Sequence, residues 1–429
     1  MTGLIGVAAL LLLLSAGVPI GVAMGLVGLV GMCLLLGPEP ALIKSGVVLF
    51  ESVSRYELGV LPLFLLMAHL CFAAGASKDF FAAAASMLGH RRGGLALATI
   101  GGCAGFGAVS GSSLATAATM GLIGLPEMRK RGYSTALASG SVAAGGTLGS
   151  LTPPSGALIV FGIIAEQSIG KLFTAAIIPA LTQTLFYMAT IVLVCRWRPA
   201  IAPPSPRATW AERRAAIFRV LDLAALVIAV LTGIAVGWFT PTEAASVGAL
   251  GAMGLCAMRR RLTRQALTEA LGQTLKTAGM LYVVIVGALI FAVFMSFTGL
   301  ADQVSTLVHG LDGGPLMAII VITILLLLLG SVLDGLALML LTTPILLPIV
   351  VDLGFSPIWF GIFLVRTMEI GFVHPPIGIN LYVIQSLAPD IPLARIFKGV
   401  LPFLAADFVH LALLIAIPGM ALALPRWLS

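Results

Sequence analysis

Five hydroxyls crowd one short stretch of the chain: Ser110, Ser112, Ser113, Thr116 and Thr119, in and just after the string Gly107-Ala-Val-Ser-Gly-Ser-Ser113. No carboxylate lies near them in sequence, so an ion site here uses neutral oxygens, which suits sodium better than a proton relay. The alternative for some of them, Thr119 foremost, is a bond to the carbonyl one turn earlier. The second half carries contrasting chemistry in Gly330-Ser-Val-Leu-Asp-Gly335. Asp334 is an acid inside an apolar segment, which is costly unless paired or wetted and therefore a functional candidate.

Each of these strings precedes a paired proline, in Gly145-Gly-Thr-Leu-Gly-Ser-Leu-Thr-Pro-Pro-Ser-Gly156 and in Glu369-Ile-Gly-Phe-Val-His-Pro-Pro-Ile-Gly-Ile-Asn380. Proline removes an amide donor and disfavours helix in the residue before it, so each pair predicts a helix broken near the bilayer midplane. Freed carbonyls can coordinate a cation, and the N-termini of half-helices attract an anion. A bare proline kink with no ligand is the competing reading of either motif alone. Arg366 and Glu369 lie three apart on one helix face; they can neutralise each other, or Arg366 can take a substrate carboxylate. Glu243 in Thr-Pro-Thr-Glu reads as the end of a capping box, and His374 as either a proton-linked switch or a hydrogen-bonded structural residue.

The elements that position these residues belong in a membrane. Of 429 residues 59% are hydrophobic and 10% charged, whereas a soluble domain carries roughly 25% charged residues. Apolar stretches fall at 3–36 (broken at Pro19), 58–76, 93–125, 134–165, 172–195, 220–238, 241–258, 274–298, 315–350, 356–388 and 398–424. With about 20 residues per spanning helix, roughly ten to twelve crossings follow. Runs such as Leu10 to Leu14 are apolar on every face, which excludes an alternating transmembrane β-barrel. The net charge of +7 sits in short loops, the pattern of positive-inside topology rather than of a nucleic-acid footprint. No GxxxxGK[ST], GxSxG or HExxH occurs, so neither a nucleotide motor nor an enzyme is indicated. The start lacks a basic n-region and reads as a retained helix. Five cysteines lie singly in apolar segments and support neither a disulfide framework nor a metal site.

A polar segment at 196–219, with six arginines, four prolines and the single acid Glu212, divides the chain nearly in half and reads as a cytoplasmic linker. Shifting by 222 positions aligns Pro19 with Pro241, Pro126 with Pro348, Gly132 with Gly354, Ser134 with Ser356, Gly149 with Gly371, Pro153-Pro154 with Pro375-Pro376 and Gly156 with Gly378. Helix breakers recurring at one offset predict a duplicated unit. The loops flanking 93–125 carry Lys78, Arg91, Arg92 and Arg129, Lys130, Arg131, whereas those flanking 315–350 carry Asp302, Asp312 and Asp352 without Lys or Arg. Both ends of the first segment therefore belong in the cytoplasm and both ends of the second outside. Each must turn back within the membrane, so they read as re-entrant helical hairpins from opposite faces.

The fold expected is an all-α polytopic membrane protein, an inverted-repeat elevator-type transporter with two re-entrant hairpins and two broken helices. Its first repeat is 1–195, with scaffold helices in 1–76, a hairpin at 93–125 and a broken helix at 134–165. The linker is 196–219. The second repeat is 220–429, with scaffold helices in 220–298, a hairpin at 315–350, a broken helix at 356–388 and a final helix at 398–424, its C-terminus expected in the periplasm.

Several strings together resemble one family. They are Gly111-Ser-Ser-Leu-Ala-Thr-Ala-Ala-Thr-Met-Gly121, Pro126-Glu-Met-Arg-Lys-Arg-Gly-Tyr133, Ala144-Gly-Gly-Thr-Leu-Gly149 with Pro153-Pro-Ser155, Ile164-Ala-Glu-Gln-Ser-Ile-Gly170, Thr240-Pro-Thr-Glu-Ala-Ala245 and Pro375-Pro-Ile-Gly-Ile-Asn-Leu381. In order and over essentially the whole chain they resemble the large, DctM-like membrane subunit of tripartite ATP-independent periplasmic (TRAP) transporters. The resemblance implies a bacterial inner-membrane symporter subunit importing an organic acid, such as a C4-dicarboxylate or sialic acid, with Na+ as coupling ion and no nucleotide. It implies two partners, a separate small four-helix membrane subunit and a periplasmic substrate-binding protein. A stand-alone ion-coupled carboxylate transporter of the same superfamily is the alternative. Sodium ligands carried over by motif fall on Ser110, Ser112 and Ser113, on Gly146, Thr147 and Thr152, and on Asp334, Gly371, Pro375 and Gly378. Arg366, Asn380 and Ser155 are the substrate-binding candidates. His374 departs from the family, which usually has threonine before the paired proline, as Thr152 is here.

Overall fold

The computed structural model describes residues 2–309, 314–331, 333–375 and 377–428, and all of its regular elements there are helical. Asp312, Val332 and Pro376, named above, lie outside the described residues. Among the described residues six helices are long and apolar enough to cross a membrane, or seven with the bent pair Thr135–Leu151 and Gly156–Ile164, whose axes meet at 41°.

Helix bounds recur at the offset read from the prolines. Ser113–Lys130 and Thr135–Leu151 in the first half correspond, at 113 + 222 = 335 and 135 + 222 = 357, to Gly335–Asp352 and Pro357–Val373. Gly156–Ile164 corresponds to Ile379–Leu387 within one residue. The breaks fall where the sequence placed them. Gly94–Ser110 ends at Gly111, whose φ of +60° is a left-handed conformation that a side chain resists. Thr152 and His374 end the first halves of the two broken helices in extended conformation, as residues before proline do.

Other boundaries differ from expectation. Trp210–Ala235 starts inside the segment read as a linker, because Thr209 and Glu212 form a capping box that nucleates a helix ten residues before the apolar run begins at 220. The apolar run 274–298 is the end of a longer helix, Arg264–Thr298, capped by Thr263. The final segment is two helices, Leu393–Ala416 and Gly419–Leu428, separated at Ile417-Pro418. Pro38–Ser54 and the amphipathic Ala76–Leu88 carry too many polar residues to stand out in a hydropathy reading. The cap expected at Glu243 is present, Thr240 and Glu243 forming a second capping box.

Small residues let the backbones approach where lipid supplies no hydrophobic force between helices. Ala136 and Gly140 on Thr135–Leu151 face Gly399 on Leu393–Ala416, and a Cβ on Gly399 would collide with the Ala136 carbonyl. Gly254, on an outer helix face, has nothing within 4 Å of its Cβ position. Gly399→Val therefore lowers the melting temperature in detergent, with an overpacking cost of about 1–3 kcal/mol or more, while Gly254→Val leaves it unchanged. Equal melting of the two variants would contradict the packing described.

Candidate functional site

The helix ends at Ser110–Ser113 and at Asp334–Leu336 meet at one cavity of about 230 Å3. Ser110, Gly111, Ser112 and Ser113 line it from the first turn, Asp334 and Leu336 from the second, and Pro154 and Gly156 from the first broken helix. Leu61, Phe64 and Leu65 of Val60–Ala73, with Thr277, Met280 and Leu281 of Arg264–Thr298, close the opposite side. The first turn was read as having no carboxylate near it; that holds along the chain, but folding brings Asp334 to the same cavity.

Local capping explains how the turns are held. Ser112 Oγ accepts the Ala115 amide at 3.4 Å and caps Ser113–Lys130. Asp334, 222 positions on, accepts the Leu336 amide at 3.2 Å and caps Gly335–Asp352. The two residues differ in charge and do the same structural work. Ser110 Oγ lies 2.8 Å from Thr116 Oγ1. Ser113 accepts from Asn380 Nδ2 at 3.0 Å, and that amide also donates to the Ala143 carbonyl at 3.1 Å. The turn is pinned to the first broken helix by the Gly156 amide donating to the Gly111 carbonyl, 3.1 Å away.

The glycines of the broken helices are close-approach positions. A Cβ on Gly146 would stand 2.5 Å from Ala117 Cβ, and one on Gly371 would stand 2.7 Å from the Gly330 carbonyl oxygen. Gly378 has φ of +55° and starts Ile379–Leu387. Pro375 is half-buried in the break itself. Thr152 Oγ1 and His374 Nδ1, at equivalent breaks, are both buried without a partner. His374 otherwise meets Phe408 edge-on, with ring centroids 6.3 Å apart.

The tripartite ATP-independent periplasmic transporter DctM-component family matches residues 7–420. This chain belongs to the DctM family. It is 36% identical over 406 residues to the C4-dicarboxylate TRAP transporter large permease protein DctM of Pseudomonas aeruginosa, covering 94% of each chain. It is 32% identical over 417 residues to the sialic acid TRAP transporter large permease protein SiaM of Vibrio cholerae, covering 96% of each. Among solved structures the YdaH transporter of Alcanivorax borkumensis superposes with a TM-score of 0.57 at 15% identity, covering 99% of this chain and 98% of that one, and shares the fold. The DctM-family chain is therefore a multi-pass transporter permease and not an enzyme.

In this DctM-family permease the three substrate-binding candidates do not reach the cavity. Ser155 is fully buried, caps Gly156–Ile164 by accepting the Leu158 amide, and donates to the Ser150 carbonyl. Asn380 is occupied with Ser113 and Ala143, as above. Arg366 is fully buried, ion-paired to Glu369 and, at 3.0 Å, to Asp407. Its geometry favours the neutralising reading over contact with a substrate carboxylate. Thr147 is likewise turned away, its Oγ1 lying 2.7 Å from the Ala144 carbonyl and 3.0 Å from Tyr187 Oη.

Asp407 was not singled out from the sequence, since one acid late in an apolar segment has no local motif. Its one signal was its type, an ionisable residue inside an apolar segment of spanning length. A larger cavity of about 510 Å3 lies between Tyr56–Gly59, the start of Pro241–Met258 and residues 162–169, bridged by Arg55 and Glu166 at 2.9 Å, and holds none of the candidates. At the other edge of the first hairpin Arg129 forms a two-pronged ion pair with Asp390 and holds its exposed carboxyl below the ordinary range, chiefly through the hydrogen bond.

Because the buried Thr152 hydroxyl bonds to nothing in the protein, Thr152→Val removes no hydrogen bond and keeps the volume. Its melting temperature in sodium-free buffer should equal or exceed that of the parent. A clear drop would mean that the hydroxyl has a protein partner.

Proposed function

We propose that this DctM-family chain is the large membrane subunit of a sodium-coupled TRAP importer of an organic acid, taken from a periplasmic binding protein and moved with a separate small membrane subunit. The observation that carries this reading is the shared cavity. It is faced by the starts of three helices, Ser113–Lys130, Gly156–Ile164 and Gly335–Asp352. Helix N-termini, even where one first-turn amide is capped, carry a positive potential, which suits a carboxylate substrate. Within the same turns lie acceptor oxygens, those of Ser110, Ser112 and Asp334 with the unpartnered Thr152 at the break, which suit a small hard cation. Substrate and ion sites so close together allow each to favour the other's binding.

The relatives named above support the substrate class, since C4-dicarboxylates and sialic acid both carry carboxylates. Sodium ligation is assigned to Ser110, Ser112, Ser113 and Thr152 on one side and Asp334, Gly371, Pro375 and Gly378 on the other. Gly146 and Thr147 act as supporting positions. The two repeats are read as inverted, the hairpins as re-entrant, and the hairpins with the broken helices as the body that slides against the scaffold helices. The positive-inside reading puts residues 196–209 in the cytoplasm.

In proteoliposomes, uptake should require an inward sodium gradient, the small subunit and a loaded binding protein. Sodium-independent uptake by this chain alone would favour the stand-alone carboxylate transporter instead. Site variants need to separate ligation from capping. Ser112→Gly keeps an acceptable N-cap at a cost of only a few tenths of a kcal/mol, so a rise of about tenfold in half-saturating sodium reports the lost oxygen. Asp334→Asn retains the cap acceptor and should weaken sodium activation by a similar factor. Unchanged sodium activation in both would remove the ion from these turns.

A further inference from the structure

One carboxylate oxygen lies where the two halves of the chain meet. Asp407 Oδ1 accepts from Gln183 Nε2 at 2.5 Å, from Tyr187 Oη at 2.7 Å and from Arg366 Nη2 at 3.0 Å. All four side chains are buried to within 1% exposure. From that oxygen one branch runs through Tyr187 to Thr147 on the first broken helix, and the other through Arg366 to Glu369 on the second. Thr147 and Glu369 are repeat equivalents, since 147 + 222 = 369, so the branches end at matching places. Because Tyr187 donates its hydrogen to Asp407, its oxygen is left to accept from Thr147, which also has the Ala144 carbonyl within reach at 2.7 Å.

We propose that Asp407 is a positioning residue for transport: it locks the two broken helices to each other, so that the turns facing the cavity hold one relative geometry while substrate and ion bind. The helices it joins are Thr135–Leu151, Ile169–Trp197, Pro357–Val373 and Leu393–Ala416, two from each half. Asp407 touches neither cavity nor candidate ion ligand, and it acts through Tyr187 and Arg366. Buried networks of this kind specify one arrangement at a stability cost, which fits a part that must move without deforming. An isolated role in neutralising Arg366 does not account for the geometry, because Glu369 already pairs with that arginine and three donors converge on a single Asp407 oxygen.

The claim rests on the sodium-coupled reading above, and the test keeps the two apart. Three variants are compared in the full tripartite system in proteoliposomes, each first checked for folding by gel filtration and thermal melting. Asp407→Asn keeps an oxygen where the three donors converge and places its amide where Asp407 Oδ2 has no partner; it should transport within about threefold of the parent. Asp407→Leu drops all three bonds and should raise half-saturating sodium about tenfold or more. Tyr187→Phe removes one of the three donors on Asp407 and with it the link to Thr147, leaves the Arg366 and Gln183 bonds, and should raise it about three- to tenfold. It also serves as the test if the leucine variant does not fold. Folded leucine or phenylalanine variants with parental sodium dependence, or an asparagine variant as impaired as the leucine one, would overturn the proposal. If the parent itself proves sodium-independent, the functional reading falls, and the same variants are scored on half-saturating substrate, which the lock must also shift.

Discussion

A helix interrupted inside a bilayer leaves amides and carbonyls that hydrocarbon cannot satisfy. Each break must therefore be wrapped by other protein, and much of the fold follows from that. The first hairpin turn is bonded to the start of the second half of the neighbouring broken helix, Gly111 carbonyl to Gly156 amide. That bond requires close contact, which glycine supplies: a Cβ on Gly111 would stand 2.7 Å from the Pro154 carbonyl. On the other side the Gly330 carbonyl lies against Gly371. Turns and breaks thus have to lie beside each other, and once they do, the helix starts that cap them share a cavity.

Backbone punctuation was the legible part of the sequence. Pro-Pro pairs, the turn glycines and the 222-residue offset depend on local conformational energy, which few residue types can change, so they located helix ends to within a residue or two. The helix cap at Glu243 was legible for the same reason, although the equivalent box at Thr209 and Glu212 passed unread inside a basic segment. Helices with mixed surfaces, such as Ala76–Leu88, were missed because hydropathy averages them away.

Side-chain direction was the illegible part. Ser112 and Asp334 were correctly placed on turns, yet whether Arg366, Asn380 and Thr147 face a cavity or a neighbouring helix depends on partners 40 to 267 residues away. Asp407 shows the limit most plainly. Nothing within its own helix distinguishes it, and it acquires meaning only when Arg366, Tyr187 and Gln183 converge on it.

The two sides of the cavity differ in how they hold together, and this difference bears on movement. Behind the turns, contacts are directional: Asn380 to Ser113, Thr147 to Tyr187, Arg366 to Asp407. Sliding any of these helices past another breaks hydrogen bonds in a dry interior, at about 1–3 kcal/mol for each buried group left unpaired. The wall formed by Val60–Ala73 and Arg264–Thr298 is Leu61, Phe64, Leu65, Met280 and Leu281 with one hydroxyl, that of Thr277, and its apolar contacts are non-directional and can be exchanged for similar ones along the way. A polar, cross-linked block against an apolar wall yields first at the wall. The proposed sliding of the hairpins and broken helices as one body therefore needs no hinge within that body, only a boundary that costs little to shift.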